Sequence, residues 1–215
     1  MSAVRICVPA PSERKRRMKI LEFRYLTTED RIDTKYDFEE AGVHTRPWSR
    51  LYEYPVVIDV LKDFCNEEST IHNSSWGFGG VHVTFKEELE SLFEGRVENS
   101  DIKPSSLDNT FIYDITKEPS ADLRNKYDVV INVSTLEEVN SDHIKVFNNL
   151  YSQVKEGGLF VATFDLPGLQ IKRFEELFGR QLEINGTILD GSNSFAKNQR
   201  YSHLNVGLMV IQKSS

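Results

Sequence analysis

Cysteine is nearly absent from this chain, which has only Cys7 and Cys65 among its 215 residues. A disulfide framework is therefore excluded, and a reducing, cytoplasmic compartment is the expectation. No apolar run approaches the roughly 20 residues that a membrane-spanning helix needs, and the amino terminus lacks a signal-peptide core. The formal net charge of −7 argues against nonspecific nucleic-acid binding, because phosphate affinity depends on lysine and arginine. A soluble protein that binds no nucleic acid and does not span a membrane is predicted.

The first fifty residues differ in composition from the remainder of the chain. A basic run at residues 14–17 precedes polar, acid-rich sequence, and such a run is typical of a solvated helix face. Pro55 is expected at the start of a helix whose apolar residues, up to Phe64, face a core. We therefore expect an N-terminal cap or extension at residues 1–65 and one α/β domain at residues 66–215, long enough to bury a full core.

The segment from residue 126 to residue 164 has the pattern of a strand, a helix and a second strand. Tyr127–Val133 is a continuous apolar run, and apolar residues from Ile144 to Val154 recur at three- and four-residue spacing. A Gly157-Gly158 turn then leads into the apolar run Leu159–Phe164. This unit predicts parallel strands, whose carboxyl ends are where such sheets bind ligands. The side chains expected at the mouth of a site are Ser134, Thr135, Glu137 and Glu138.

Strands and helices alternate along most of the remaining sequence. The predicted strands lie at residues 70–75, 96–102, 110–115, 181–189 and 204–212, and the predicted helices at residues 81–93 and 169–178. Gly95 and Gly179 are expected to end these two helices. Alternation of this kind, closed by a pair of strands, predicts a doubly wound α/β fold with a mostly parallel, seven-stranded sheet and an antiparallel last strand.

Polar or glycine-rich sequence follows the first strands of the 66–215 domain. The turn from Trp76 to Gly80 (WGFGG) would let the backbone approach a ligand, next to the free N–H groups of a helix start. Asp101 ends the second predicted strand, where an acid can accept both hydroxyls of a ribose, and Asp114 ends the third, placed to accept from an exocyclic amine. Each acid alone is more typical of a turn or a helix cap. Their recurrence at consecutive strand ends favours one adenosine-type ligand.

The order of motifs from Thr70 to Lys213 resembles that of class I S-adenosylmethionine-dependent methyltransferases. YDVVINVSTLEEV is similar to the family's fourth motif and VKEGGLFVATF to its fifth, and NSSWGFG stands where the family has an acid-x-Gly-x-Gly turn. In that turn Asn73 replaces the acid and Ser75 replaces the first glycine. The resemblance implies a Rossmann-like methyltransferase fold with S-adenosyl-L-methionine as cofactor. It maps the cofactor site onto Asn73, Ser75, Trp76, Gly77, Gly79, Asp101, Asp114, Ile115, Asn132 and Ser134.

Two shorter resemblances concern the acceptor of the methyl group. STLEEV is similar to an S-x-L-E-H-V segment of small-molecule and sugar O-methyltransferases, and RLYEYP is similar to a segment of proteins of surface-glycan biosynthesis. They imply methyl transfer to a hydroxyl of a sugar, a glycan or another small molecule, and they make a divalent metal a further candidate cofactor. A hydroxyl acceptor needs a base or a metal to help it lose its proton. The candidate catalytic residues are Glu137, Glu138, Asp165 and His203.

Each of these candidates has a simpler alternative. The two glutamates can be first-turn acids favoured by the helix dipole, Asp165 can form a turn, and His203 can be a surface histidine. Polar and aromatic residues just ahead of the fold, among them His44 and Glu53, could form a cap over the acceptor or only anchor the extension. A noncatalytic methyltransferase-like scaffold for a partner protein is the alternative function, and the altered turn at Asn73 favours it. A homodimer is also compatible with the sequence.

Overall fold

The structure is a computed structural model that describes residues 18–26, 30–36, 49–77, 81–107, 109–166, 168–181, 183–184, 187–188 and 206–214. The strands are β1 (Met18–Tyr25), β2 (Ile71–Ser74), β3 (Val97–Asp101), β4 (Thr110–Ile112), β5 (Tyr127–Val133), β6 (Val154–Asp165), β7 (Glu183–Ile184), β8 (Thr187–Ile188) and β9 (Val206–Lys213). The helices are α1 (Arg50–Phe64), α2 (Val81–Leu92), α3 (His143–Tyr151) and α4 (Ile171–Phe178), with short 3₁₀ helices at Thr34–Tyr36 and Ala121–Leu123. None of the helices in the described part of the chain has the length and apolar character of a membrane span.

Seven of the strands form one sheet in the order β1-β9-β6-β5-β2-β3-β4. The neighbours from β6 to β4 are parallel, whereas β9 runs antiparallel to both β6 and β1. Strands β5 and β6 lie in the middle of the sheet, and residues 129–133 and 159–164 are buried on both faces, which explains the apolar runs of the two strands. The prediction of a mostly parallel, seven-stranded sheet with an antiparallel last strand is confirmed.

Helices cover both faces of this sheet, so the fold is doubly wound as predicted. Alternate residues of β5 face opposite sides: Val129 and Ile131 pack in one core with α1 and α2, and Val130 packs in the other with α3 and α4. Helix α3 begins after Asp142, whose carboxylate accepts the N–H of Ile144 at 2.9 Å and caps the helix. The result is a three-layered arrangement in which the strand ends remain open to ligands.

The outer strand beside β9 comes from the N-terminal extension and was not predicted. Strand β1 pairs with β9 from Met18 opposite Lys213 to Tyr25 opposite Gly207. The segment predicted as one strand at residues 181–189 was wrong, because within it β7 and β8 pair with each other outside the main sheet. A sequence pattern indicates that a segment is extended but not which strand it will pair with, and β1 takes the edge position.

Helix α1 begins at Arg50 rather than at Pro55, so the predicted helix start was wrong. Proline lacks the N–H that would bond the carbonyl of Leu51, one turn earlier in the helix. The backbone N–H of Asp33 donates to that carbonyl instead, at 3.0 Å. Because the lost helical hydrogen bond is replaced in this way, the proline is tolerated inside the helix.

The connection from α3 to β6 also differs from the prediction. Helix α3 ends at Tyr151, and Val154 begins β6 instead of continuing the helix. The Gly157-Gly158 pair lies within the strand and not in a turn before it. A Cβ on Gly158 would lie 2.5 Å from the carbonyl oxygen of Asp128, so β5 and β6 approach too closely there for a side chain. Gly158 therefore permits the close packing of the two strands.

Candidate active site

A cavity of about 310 Å³ lies at the carboxyl ends of β2, β3, β4 and β5. The pairing register places these ends level with one another, because Ser74 lies opposite both Ser100 and Asn132. The volume falls at the lower end of the range of small-molecule sites, about 300–1,000 Å³. Open α/β sheets bind ligands at this edge. The residues that line the cavity include Arg50, Tyr54, Trp76, Gly77, His82 and Asp101.

The turn between β2 and α2 crosses the strand ends through two residues in the left-handed conformation. Ser75 has a φ of 57° and Gly77 has a φ of 75°. A serine in this conformation is strained, and such strain is concentrated at functional sites. A Cβ on Gly77 would lie 3.1 Å from the His82 ring, and the Gly77 N–H donates to the Asp101 carboxylate at 3.3 Å. Glycine therefore lets the turn, the histidine and the strand-end acid meet.

The two predicted strand-end acids both line the cavity but differ in their bonding. Besides the Gly77 N–H, Asp101 accepts the N–H of Lys103 at 3.1 Å. Asp114 lies two residues beyond the end of β4, so it belongs to the following turn and does not end the strand as predicted. One of its oxygens accepts the hydroxyl (2.6 Å) and the N–H (2.9 Å) of Thr116, and these bonds lower the pKa of Asp114. Asp114 thus shapes the turn as well as facing the cavity.

The predicted cofactor residues divide into those that line the cavity and those that lie behind it. The lining ones are Asn73, Ser75, Trp76, Gly77, Asp101, Asp114 and Ile115. The amide of Asn73 donates to Asn99 at 3.0 Å, and Asn132, behind the cavity wall, accepts the N–H of Leu136 at 2.9 Å. Ser134 also lies behind the wall, where its hydroxyl donates to Glu53. Gly79 and the catalytic candidate His203 lie outside the described residues.

The two adjacent glutamates after β5 have different environments. Glu137 is buried, and its carboxylate accepts the backbone N–H of Asp165 at 2.6 Å. Burial raises the pKa of Glu137 to about 8. Glu138 is exposed to solvent. A pKa of about 8 lets Glu137 exchange a proton near neutral pH.

Three carboxylates come together between the turn after β5 and the end of β6. Glu137, Glu138 and Asp165 each offer one oxygen, and these oxygens lie within 4.8 Å of one another. One buried oxygen of Glu137 and one of Asp165 have no hydrogen-bond partner. Burial, with a contribution from Glu53, raises the pKa of Asp165 to about 6. Such oxygens favour either a proton or a cation, and an all-carboxylate donor set fits a hard divalent cation such as Mg²⁺ or Ca²⁺.

Helix α1 extends the site to residues whose role the sequence left open. Glu53 is fully buried, and its carboxylate accepts the Thr163 hydroxyl at 2.6 Å, the Ser134 hydroxyl and an N–H of the Arg50 guanidinium. Burial alone would raise the pKa of Glu53, but Arg50 and the two hydroxyls outweigh it and lower the pKa. The available sequence signal is an arginine and a glutamate three residues apart, which places them side by side on a helix.

Tyr54 and His82 form the wall between α1 and the glycine turn. The Tyr54 hydroxyl is hydrogen-bonded to Nδ1 of His82, and the Tyr54 ring stacks on Phe85 with centroids 3.9 Å apart. Burial lowers the pKa of His82 to about 4, so the imidazole is neutral at physiological pH. Sequence reasoning missed His82, because a single histidine near a helix start carries no motif.

The comparisons with known proteins point to the fold. No sequence profile of a known family and no curated protein matches the chain. A chain of the complex between the Haloferax volcanii Trm112 methyltransferase activator and a methyltransferase is 14% identical, with a TM-score of 0.52 over 76% of this chain and 91% of that one. The [4+2]-cyclase SpnF is 8% identical, with a TM-score of 0.52 over 78% of this chain and 83% of that one.

A Galdieria sulphuraria protein described as a sarcosine dimethylglycine methyltransferase is a further structural relative. It is 13% identical, with a TM-score of 0.50 over 77% of this chain and 86% of that one. At such identities the likeness concerns the fold alone. The chain has the Rossmann-like fold of class I methyltransferases, and SpnF indicates that this fold is not confined to one activity.

Proposed function

We propose that the protein is an S-adenosylmethionine-dependent O-methyltransferase whose acceptor is a hydroxyl of a sugar, a glycan or another small molecule. The observation that carries the proposal is the cavity at the strand ends, with the glycine turn and Asp101 on one side and the turn that carries Glu137 on the other. The shared fold supports it, because several of the solved structures with this fold are described as methyltransferases.

On this proposal the nucleoside part of the cofactor lies at the ends of β3 and β4. Asp101 accepts hydrogen bonds from the ribose hydroxyls, because it is a carboxylate at a strand end within the cavity. Asp114 and Ile115 border the adenine, and Trp76 packs against the ligand. Holding the methyl group in line with the acceptor oxygen can supply several kcal/mol of the barrier to transfer.

Transfer to a hydroxyl requires that its proton be removed as the new bond forms. The acceptor oxygen attacks the methyl carbon, the carbon–sulfur bond breaks, and its electron pair stays on sulfur as a neutral thioether. Glu137 is the proposed base that takes the proton, since its carboxylate has a pKa near 8 and lies in the same turn as the lining residues Thr135 and Val139. Asp165, whose pKa is about 6, is the second candidate for this role.

The same carboxylates could instead hold a divalent cation. Glu137, Glu138 and Asp165 would be its ligands, and its chemistry would be to lower the pKa of a bound acceptor hydroxyl. Glu137 would then be a ligand and no longer a base, because a coordinated carboxylate oxygen does not accept a proton. A requirement for added Mg²⁺ or Mn²⁺ after chelation separates these two roles.

A noncatalytic scaffold is the second candidate function. The position of the family's acid is held by Asn73, whose amide is used in a buried hydrogen bond to Asn99. Ser75 holds a left-handed position that suits glycine. Both features weaken the resemblance at the turn that would hold the methionine part, and they favour a protein that keeps the fold without turnover.

The experiment that tests the proposal begins with binding. Calorimetric titration with S-adenosylhomocysteine should give a saturable heat, and titration with NAD, the matched control ligand, should give none. Incubation with S-adenosylmethionine labelled in its methyl group, with a panel of sugars, glycans and small alcohols as acceptors, should then transfer label to one class. Absence of both heat and thermal shift at millimolar S-adenosylhomocysteine would favour the scaffold.

A further inference from the structure

Charge is distributed unevenly along the cavity. Among the described lining residues the carboxylates of Asp101 and Asp114 stand at the β3–β4 end, and Arg50 of α1 is the one arginine or lysine. Arginine stays charged under all physiological conditions. A ligand matched to this cavity therefore carries hydrogen-bond donors at one end and an anionic group at the other.

Arg50 is held in place by a network of hydrogen bonds. Its side chain is almost completely buried and donates to the carboxylate of Glu53 and to the Ser49 hydroxyl, the latter at 3.4 Å. Glu53 is itself anchored to the ends of β5 and β6 through Ser134 and Thr163. A guanidinium fixed in this way is pre-organised, so little side-chain entropy is lost when it binds a planar carboxylate.

The sheet order fixes which end of a ligand Arg50 can meet. The cavity runs from β4 across β3 and β2 to β5, and α1 closes it at the β5 end. Tyr54 of the same helix is bonded to His82, whose ring lies against Gly77. Arg50 therefore lines the same side of the cavity as the glycine turn, and it lies at the end of the cavity opposite to Asp114.

We propose that Arg50 is a carboxylate-binding residue, and that it binds the carboxylate at the amino-acid end of S-adenosylmethionine. This inference rests on the proposed function, which puts the nucleoside end at Asp101. An arginine and a carboxylate pair through two parallel hydrogen bonds, a geometry that a lysine or an amide does not reproduce. Helix α1 of the N-terminal extension is then part of the cofactor site and not only a cover for the acceptor.

A pair of ligands that differ in the amino-acid part tests this role directly. S-adenosylhomocysteine has the carboxylate, whereas 5′-methylthioadenosine has the same nucleoside and thioether without it. In Arg50→Gln, affinity for S-adenosylhomocysteine should fall by at least about tenfold, as expected for a charge-assisted hydrogen bond. Affinity for 5′-methylthioadenosine should change by less than about twofold, which also shows that the pocket is intact.

Two further variants test whether a structural change, and not the loss of the arginine, causes the weaker binding. Arg50→Gln/Glu53→Gln avoids leaving a buried carboxylate without its cation and should show the same selective loss. Arg24→Gln is the control. Arg24 is a partly buried arginine of β1 that pairs with Asp30 at 2.8 Å and does not line the cavity. Both ligands should bind this variant as tightly as they bind the wild type.

Each other outcome overturns the inference in a distinct way. Equal loss of both ligands in the Arg50 variants means that the arginine only shapes the cavity, and unchanged S-adenosylhomocysteine affinity means that the carboxylate binds elsewhere. In both of these results the proposed function survives, because the wild type still binds. If the wild type binds neither ligand, the proposed function fails and the inference fails with it.

Discussion

The two ends of the cavity are assembled by contacts of very different range. At the β3–β4 end, Asp101 accepts the N–H of Lys103, two residues away. At the β5 end, Glu53 bonds to the lining residue Arg50 and accepts the hydroxyl of Thr163, 110 residues away. Apart from the bond between Asp101 and the Gly77 N–H, the first end is therefore mostly a local feature of a strand and its turn, whereas the second exists only when α1 packs over the sheet.

This difference in range is accompanied by a difference in protonation. Asp114, at the local end, is exposed enough for its bonds to Thr116 to lower its pKa. Glu137, at the assembled end, has its pKa raised to about 8 because the packing buries it. Binding groups that only need to accept hydrogen bonds can be supplied locally, but a carboxyl group exchanges a proton near neutral pH only where burial or a neighbouring negative charge raises its pKa.

Removal of β1, the strand that the N-terminal extension adds to the sheet, should have the largest effect on stability. Deleting residues 1–26 removes β1, together with Tyr25 and Leu26, which are both buried, and leaves one edge of β9 unpaired. We expect a loss of several kcal/mol, comparable with the total stability of about 5–15 kcal/mol of a typical domain. Thermal unfolding measures the loss, and deletion of residues 1–16, which spares β1, is the control. A shorter protein that melts like the wild type would show that β1 does not contribute to the stability of the core.

The next largest effect is expected on turnover. Glu137→Gln removes the proposed base and should lower the rate of methyl transfer by roughly 10²–10⁴-fold, while S-adenosylhomocysteine binds as before. Glu138→Gln changes the exposed neighbour and should have a much smaller effect. Transfer of the labelled methyl group is measured with and without EDTA. Equal rates in both variants and the wild type would show that Glu137 is not the base and only holds the turn after β5 through its bond to the Asp165 N–H.

The pH dependence of stability tests the raised pKa of Glu137, and it needs no methyl acceptor. The folded-state pKa of Glu137 is raised from 4.5 to about 8, so its protonated form is favoured by folding. The stabilisation is fully present below pH 4.5 and is lost as the pH rises to about 8, by at most about 5 kcal/mol. Glu137→Gln should therefore gain stability relative to the wild type between pH 5 and pH 8.5 in urea unfolding with EDTA present. Parallel curves for the two proteins would contradict the buried, protonated state.

The smallest of these effects concerns the local end. Asp101→Ala removes charge-assisted hydrogen bonds to the ribose, worth roughly 1.5–3 kcal/mol each, so affinity for S-adenosylhomocysteine should fall by at least about tenfold. Circular dichroism should be unchanged, because Asp101 lies at the end of β3 and contributes little to the core. Asp114→Ala is the comparison variant and should lose less, since its bonds to Thr116 are local. A wild-type dissociation constant for Asp101→Ala would place the ribose contact elsewhere.

The sequence indicated residues that line the local end of the cavity more readily than those of the assembled end. Asp101 and the turn at Gly77 could be found because each follows a strand whose pattern is readable from neighbouring residues. Glu137 and Asp165 were named as candidates, but nothing in the sequence distinguished the buried Glu137 from the exposed Glu138. That distinction depends on what packs above each residue, which no short pattern contains.

The sequence by itself determined the alternation of strands and helices, the central strands and the polar residues at their ends. Hydrophobic periodicity and turn chemistry act over a few residues, so these features need no knowledge of distant partners. Only the tertiary structure decided that β1 takes the sheet edge, that α1 brings Arg50 to the cavity, and that burial raises the pKa of one of two adjacent glutamates. Strand pairing, burial and charge proximity arise between segments far apart in the chain, and they exist only once the chain has folded.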